Sequence, residues 1–327
     1  MLRKIFIAFL ILVFLFFLVL FSLPLWIKKA LPVIINHALK DIRIESLDYH
    51  GENFRWPSDW ALSGLSLDFK KDGVFYKCRI ALLKISRELP QSVSVNLSGF
   101  KIESPLFKAE GILAAGDVGF HDGRIRGSLH GDSFSAAGYK LGTFRATIEG
   151  DGRNISLRGF SADCYGGKIT GEISLEYAPR ISYSIDIKLT DVDPDLMKAA
   201  NPAVFSQVQG KINGTAFLAG NLKEIDRLEG RFDIAEGGKL KAALLGFLVP
   251  YIPQSTQKKE LELLVKGNGD IPFENGALRL KNLDKDTLST QIDLQSKAFN
   301  LDFDVGVDVH VDGGLNKLLD YSKVLVK

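Results

Sequence analysis

The chain has 327 residues, and its 41 basic and 39 acidic side chains leave a formal charge of +2, so no basic field argues for a nucleic-acid partner. Its two cysteines, Cys78 and Cys164, are too few for a disulfide framework and too far apart for a metal-ligand spacing. One bridge or two buried thiols would each suit them.

The first predicted element is a membrane helix. Ile5 to Ile27 carries no charge and is dominated by Ile, Leu, Val and Phe; at ~1.5 Å per helical residue it spans a ~30 Å hydrocarbon core. It is longer than the ~7 to 15 residues of a signal-peptide core, and Ser22-Leu23-Pro24-Leu25-Trp26 offers no small-x-small cleavage site. An uncleaved anchor is therefore expected, entered at Ile5 and held at the headgroups by Trp26, Lys28 and Lys29. Arg3 and Lys4 nearly balance Lys28 and Lys29, so charge alone does not orient it. The long remainder, with no second run able to span, places residues beyond about 30 outside the cytoplasm. Leu31, Ile34, Ile35, Ala38 and Leu39 continue at helical spacing, which completes an anchor and juxtamembrane helix over residues 1–40.

From Ile42 the apolar period changes to two, and residues 41–327 read as one β-rich domain. Two stretches carry the pattern most clearly. Ile181, Tyr183, Ile185, Ile187 and Leu189 alternate with polar residues, as do Leu301, Phe303, Val305, Val307 and Val309. Each strand has one apolar and one wet face, as in antiparallel sheets solvated on one side. About 16 strands are expected, with turns at signals such as Gly166-Gly167, Asn213-Gly214 and Asn275-Gly276. Two short helices interrupt them. Asp193 to Gln207 is expected to be capped by Asp193 and broken at Pro202, and Lys239 to Tyr251 to stop near Pro250 and Pro253. The fold class is mainly β: an N-terminal transmembrane helix, then an elongated, curled antiparallel sheet with a few short helices.

No catalytic constellation emerges. The five histidines lie far apart, no nucleophile elbow or phosphate-cradling loop is present, and neither metal nor cofactor is expected. Asp191, Asp193 and Asp195 open like a calcium loop, but Leu196 stands where glycine is required and Pro202 where glutamate is required. These aspartates are expected to cap the following helix.

Ala162-Asp163-Cys164-Tyr165-Gly166-Gly167-Lys168-Ile169-Thr170-Gly171 is similar to an aromatic-Gly-Gly-x-x-x-Gly element. Asp191 to Leu196 then leads to Gly210-Lys211-Ile212-Asn213-Gly214, and Leu228 to Gly238 and Phe273 to Leu278 follow the same strand, glycine turn, strand grammar. In these residues the chain resembles the AsmA-like superfamily of bacterial envelope proteins, relatives of TamB and YdbH, over roughly residues 1 to 50 and 110 to 315. The resemblance implies a single-pass inner-membrane protein with its bulk in the periplasm. It also implies a β-groove that shields phospholipid acyl chains in transport between inner and outer membranes and in outer-membrane biogenesis. The lining would come from the two alternating stretches, Ile181 to Leu189 and Leu301 to Val309. The alternative, from another class, is an envelope scaffold or assembly factor that binds an outer-membrane or periplasmic partner protein through its sheet edges. Periodicity alone leaves open whether the apolar faces line a groove or pack as a core.

Overall fold

The computed structural model describes residues 42–315 except 56–58, 72–73, 89–91, 106, 120–123, 137, 152, 177–181, 222–223, 235, 247–248, 250–255, 268, 299–300 and 312–313. The expected membrane helix, with Ile5, Trp26, Lys28 and Lys29, lies outside the described residues, as does Ile181. Among the described residues no helix is long and apolar enough to cross a membrane. Strand takes 74% of them, in a large antiparallel sheet that is not closed into a barrel. The described residues fall into two compact units, one comprising those among 42–162 and 174–176, the other those among 163–173 and 182–315.

In the first unit, β1 (Ile42–Asp48) and β2 (Gly51–Arg55) pair in series along β3 (Asp59–Lys71). Long hairpins then add β4 (Val74–Glu88), β5 (Ser92–Glu103) and β6 (Phe107–Gly119). β6 is matched along its length by β7 (Ile125–Gly131) and β8 (Ser133–Ala136), and β8 turns into β9 (Tyr139–Leu141). β10 (Phe144–Gly150) pairs with β7 and with β11 (Asn154–Cys164).

The apolar face of this unit is a packed core. One cluster joins Leu67, Phe69, Tyr76, Cys78, Phe100 and Ile102 to Phe144 and Ala162 from β10 and β11. A second holds Trp60, Leu62, Leu83, Ile85, Val93 and Val95 with Val118 and Ile125. The phase of the alternation slips between them. In β3 the buried residues are even-numbered at Trp60 and Leu62 and odd-numbered at Leu67 and Phe69; β4 and β5 slip likewise. Ile80 and Leu97 pack against both clusters, so the same face stays inward across the slip.

The slip follows a line across the sheet. Gly64 and Gly99 lie in the left-handed region, with φ of 62° and 60°, on the two strands flanking β4, and Gly111 of β6 follows at 68°. Such a residue re-aims the following side chains by one position, much as a bulge does, so two successive residues stay out. On β4 that pair is Ala81 and Leu82, both exposed. A strict period of two therefore follows each strand only as far as this line.

In the second unit, Cys164 turns into β12 (Gly167–Glu176) through Tyr165 and Gly166, whose φ values of 45° and 79° suit a primed two-residue hairpin turn. The succeeding glycines serve close approach. A Cβ on Gly167 would meet Thr190 O at 2.2 Å, and one on Gly171 would meet Asp186 O at 2.0 Å, both on β13 (Ser182–Val192). The sheet continues antiparallel from β13 through β15 (Ile212–Asn221), β16 (Ile225–Ile234), β19 (Asn275–Asn282), β20 (Thr287–Ser296) and β21 (Leu301–His310).

Asn213-Gly214 and Asn275-Gly276 are not turns, contrary to expectation; they lie within β15 and β19. Asn213 Oδ1 accepts the Asp191 N–H at 3.0 Å, and Gly214 lies against the ring of Phe232 on β16. Both residue types are used here for cross-strand fit.

Asp193 caps α1 (Pro194–Met197) by accepting from Asp195 N at 2.8 Å, and Pro202 begins a separate α2 (Pro202–Phe205). Asp191 and Asp195 are not caps: Asp191 has φ 54° and binds Asn213, while Asp195 pairs with Lys198 at 2.7 Å. The helix expected over Lys239 to Tyr251 is also corrected. Gly238–Lys241 is β17, the middle strand of a small sheet between β14 (Val208–Gln209) and β18 (Asp270–Phe273), and Ala242–Leu245 forms a 3-10 turn, while 247–248 and 250–251 lie outside the described residues. Pairing of Leu240 with Val208 and Ile271 outweighs local helical spacing. The longest described helix is instead α3 (Thr256–Lys266), which turns Leu261, Leu264 and Val265 inward and leaves Leu263 exposed.

Candidate functional site

The register of the second unit brings the two alternating stretches onto one face. Directly opposed residues in an antiparallel ladder project to the same side. One row therefore runs Ile187, Ala216, Gly230, Leu280, Thr290, Val307, and the next runs Leu189, Gly214, Phe232, Leu278, Ile292, Val305. Ile185 pairs with Leu218, and Leu218 with Leu228, in a third. Five interstrand steps of ~4.8 Å make each complete row about 24 Å long.

The other face is polar. Its parallel row runs Asp186, Phe217, Glu229, Lys281, Ser289, Asp308. Arg227 bonds Glu229 at 2.8 Å and lies over the Phe217 ring at 4.7 Å, while Arg231 reaches Asp233 at 3.1 Å. These pairs are mostly solvent-exposed and lend little stability; they keep that face wet.

The apolar rows differ from the first unit in burial. Ile185, Ile187, Leu189, Ala216, Leu218, Leu228, Phe232, Leu278, Leu280 and Ile292 are all half-buried. Clusters close the two margins. At one, Ala242, Leu245, Leu261, Ile271 and Phe273, from the small sheet, the 3-10 turn and α3, pack on Leu294, Ile234, Phe303, Val305 and Val307. At the other, Ile225, Val311 and Leu315 pack with Leu218, Leu228 and Leu288. The middle rows over β13, β15, β16 and β19 lie between these margins, and the Phe232 ring fills the space over Gly214 and Gly230.

The expected lining residues thus divide. Ile185, Ile187 and Leu189 stand half-buried on the apolar face with Tyr183 beside them, whereas Phe303, Val305 and Val307 pack under the covering elements and Val309 is 44% exposed. Leu301 begins β21, opposite Ser296 in the ladder. The interior strands supply what the two stretches alone did not indicate: Ala216, Leu218, Phe232, Leu278, Leu280 and Ile292. Their signal was present as shorter alternations, broken by the glycines.

No protein-family model, curated protein or solved structure matches the chain. The geometry of the apolar face is accordingly the basis for any functional reading.

Among the described residues no three His, Cys, Asp or Glu side chains come together as a metal site. Both cysteines are free and buried. Burial pushes the Cys78 thiol up to about 12, with Arg79 opposing and Asp68 adding to the shift, and burial raises Cys164 as well. Thiols held protonated in this way are inert at neutral pH. The unfolded chain ionises near 9 while folded Cys78 does not, so the thiol leaves stability unchanged below pH 9 and lowers it as pH rises toward 12. Between pH 8 and 10 the protein should lose about 1 kcal/mol more stability than Cys78→Ala does, measured by urea denaturation at each pH. Parallel losses in the two proteins would remove burial of this thiol as the cause.

Proposed function

We propose that the chain is an AsmA-like inner-membrane protein. Its β-rich body, in the periplasm, takes up phospholipid acyl chains on the apolar face of β13 to β20 and takes part in phospholipid transport between inner and outer membranes. The supporting observation is the set of half-buried apolar rows, continuous across six strands, on a sheet whose other face is ionic. A face of this kind left to water is costly: each apolar methylene is worth ~0.8 kcal/mol on transfer from water. Between the covered margins a row crosses β13, β15, β16 and β19 in three interstrand steps, about 14 Å, enough for part of an extended acyl chain. The packed core of the first unit would have no such capacity. In this reading the sheet is an elongated groove, and the hydrophobic N-terminal run holds it beside the bilayer from which lipid enters.

Photo-crosslinking in the full chain tests it. Probes replacing Ile187 and Leu280 are expected to give lipid adducts by mass spectrometry, and probes replacing Asp186 and Lys281 none. Equal labelling of both faces, or adducts to protein alone, would reject lipid binding and favour the scaffold.

A further inference from the structure

Among the described residues β21 is a long edge strand whose guarding charges are all of one sign. Among the described residues it pairs with β20 alone, in unbroken register from Thr287 opposite His310 to Ser296 opposite Leu301. It has no proline and no bulge, and the charges that guard it against strand addition are all acidic, so a basic strand would meet attraction where an acidic or apolar one is resisted. Asp302, Asp304, Gly306 and Asp308 are exposed along its polar side.

The polar face dips beside this edge into a depression of about 750 Å³, lined in part by Asp233, Asp293, Asp302 and Asp304, with Arg279 the only basic residue among its lining. Arg279 is already engaged, 3.4 Å from Asp293 and donating to Gln291 Oε1 at 3.1 Å. Gln291 in turn donates to Asp304 at 2.9 Å. The edge thus offers backbone groups in an extended row, an apolar side on which Phe303, Val305 and Val307 already pack under the small sheet, the 3-10 turn and α3, and a negatively charged side.

We propose that β21 is the docking edge for an extended segment of a partner protein in which apolar residues alternate with lysine or arginine. Strand addition satisfies the backbone groups of both chains, and the period of two sends alternate side chains to opposite faces. Basic residues of the added strand would face Asp302 and Asp308, while its apolar residues would extend the rows ending at Val305 and Val307. A second copy of β21 suits the edge poorly. Keeping both apolar faces on one side sets aspartate against aspartate, which is repulsive. The proposal holds whatever the apolar face binds.

The test uses the full chain in nanodiscs of zwitterionic lipid and two fluorescent ten-residue peptides, one alternating valine with lysine and the other valine with glutamate. The lysine peptide should bind at least tenfold more tightly by anisotropy and slow amide hydrogen exchange across Leu301–His310. Asp302→Lys combined with Asp308→Lys should reverse the preference; Asp304 is left intact because it holds Gln291. Three results would overturn the idea. Binding without added protection in β21 would mean charge attraction alone. Protection already complete in the free chain would mean that the edge is covered by the chain's own residues or by a second copy. An unchanged preference in the double variant would place the peptide elsewhere. The exchange arm needs only the native protein, so a variant that fails to fold still leaves a decision.

Discussion

Gly99→Ala should lower stability by about 2 to 5 kcal/mol, a large effect for the addition of one methyl group. Two costs combine. An L-residue held near φ 60° pays about 1–2 kcal/mol for crowding between its Cβ and the backbone. The new Cβ would also lie 2.6 Å from Ala81 Cβ on β4, inside contact distance, and overpacking of this kind costs about 1–3 kcal/mol in backbone adjustment. Gly159→Ala separates the two. Its φ is 57°, yet nothing lies within 4 Å of the added carbon, so only the conformational cost of about 1–2 kcal/mol should appear. Ala81→Gly introduced with Gly99→Ala should recover the overlap but not the conformational part, a double-mutant cycle read by urea denaturation. If Gly99→Ala and Gly159→Ala cost the same, the crowding at the line of slipped phase is not real.

The second large effect concerns the apolar rows. Ile187→Asp and Leu280→Asp place a carboxylate on the face proposed to hold acyl chains. A single unpaired polar group costs at least ~1–3 kcal/mol to cover with hydrocarbon, and an ionised one costs more. Each substitution should therefore reduce the phospholipid that copurifies with the full chain at least tenfold, since ~1.4 kcal/mol is a factor of ten. Folding should survive, because both side chains are only half-buried and neither belongs to a buried cluster. Lys188→Asp changes charge more but lies on the exposed side of β13, and its retained lipid should match the unsubstituted protein. Equal lipid in all three variants would remove the apolar face from lipid binding.

The contrast between the two units gives this experiment its meaning. Val95 and Phe100 are 1% exposed, so the apolar face of the first unit is already filled with protein. In the second unit the interior strands carry Ala216, Gly214 and Gly230 where a core would carry large side chains. The Phe232 ring lies over both glycines, where an added Cβ would come within 2.8 to 2.9 Å of it.

What the sequence determined by itself is the class and much of the pattern. Alternation alone identified the β architecture and the strands at Ser182–Val192 and Leu301–His310, and Asp193 and Pro202 marked a helix start and a break that the structure retains. These are local properties, set by which side of a strand meets water and by which backbone groups a side chain reaches. What only the tertiary structure decided depends on neighbours far along the chain. Phase slips in β3, β4 and β5 follow from glycines aligned across strands, which no single strand discloses. Asn213-Gly214 and Asn275-Gly276 have the chemistry of turns, yet ladder pairing absorbs them. Leu240 sits in a helical pattern but takes strand partners at Val208 and Ile271. Whether an apolar face becomes core or open surface also lay beyond periodicity, because burial depends on what the opposite side supplies. In the first unit it supplies large side chains, and over β13, β15, β16 and β19 the described residues leave the face half-covered.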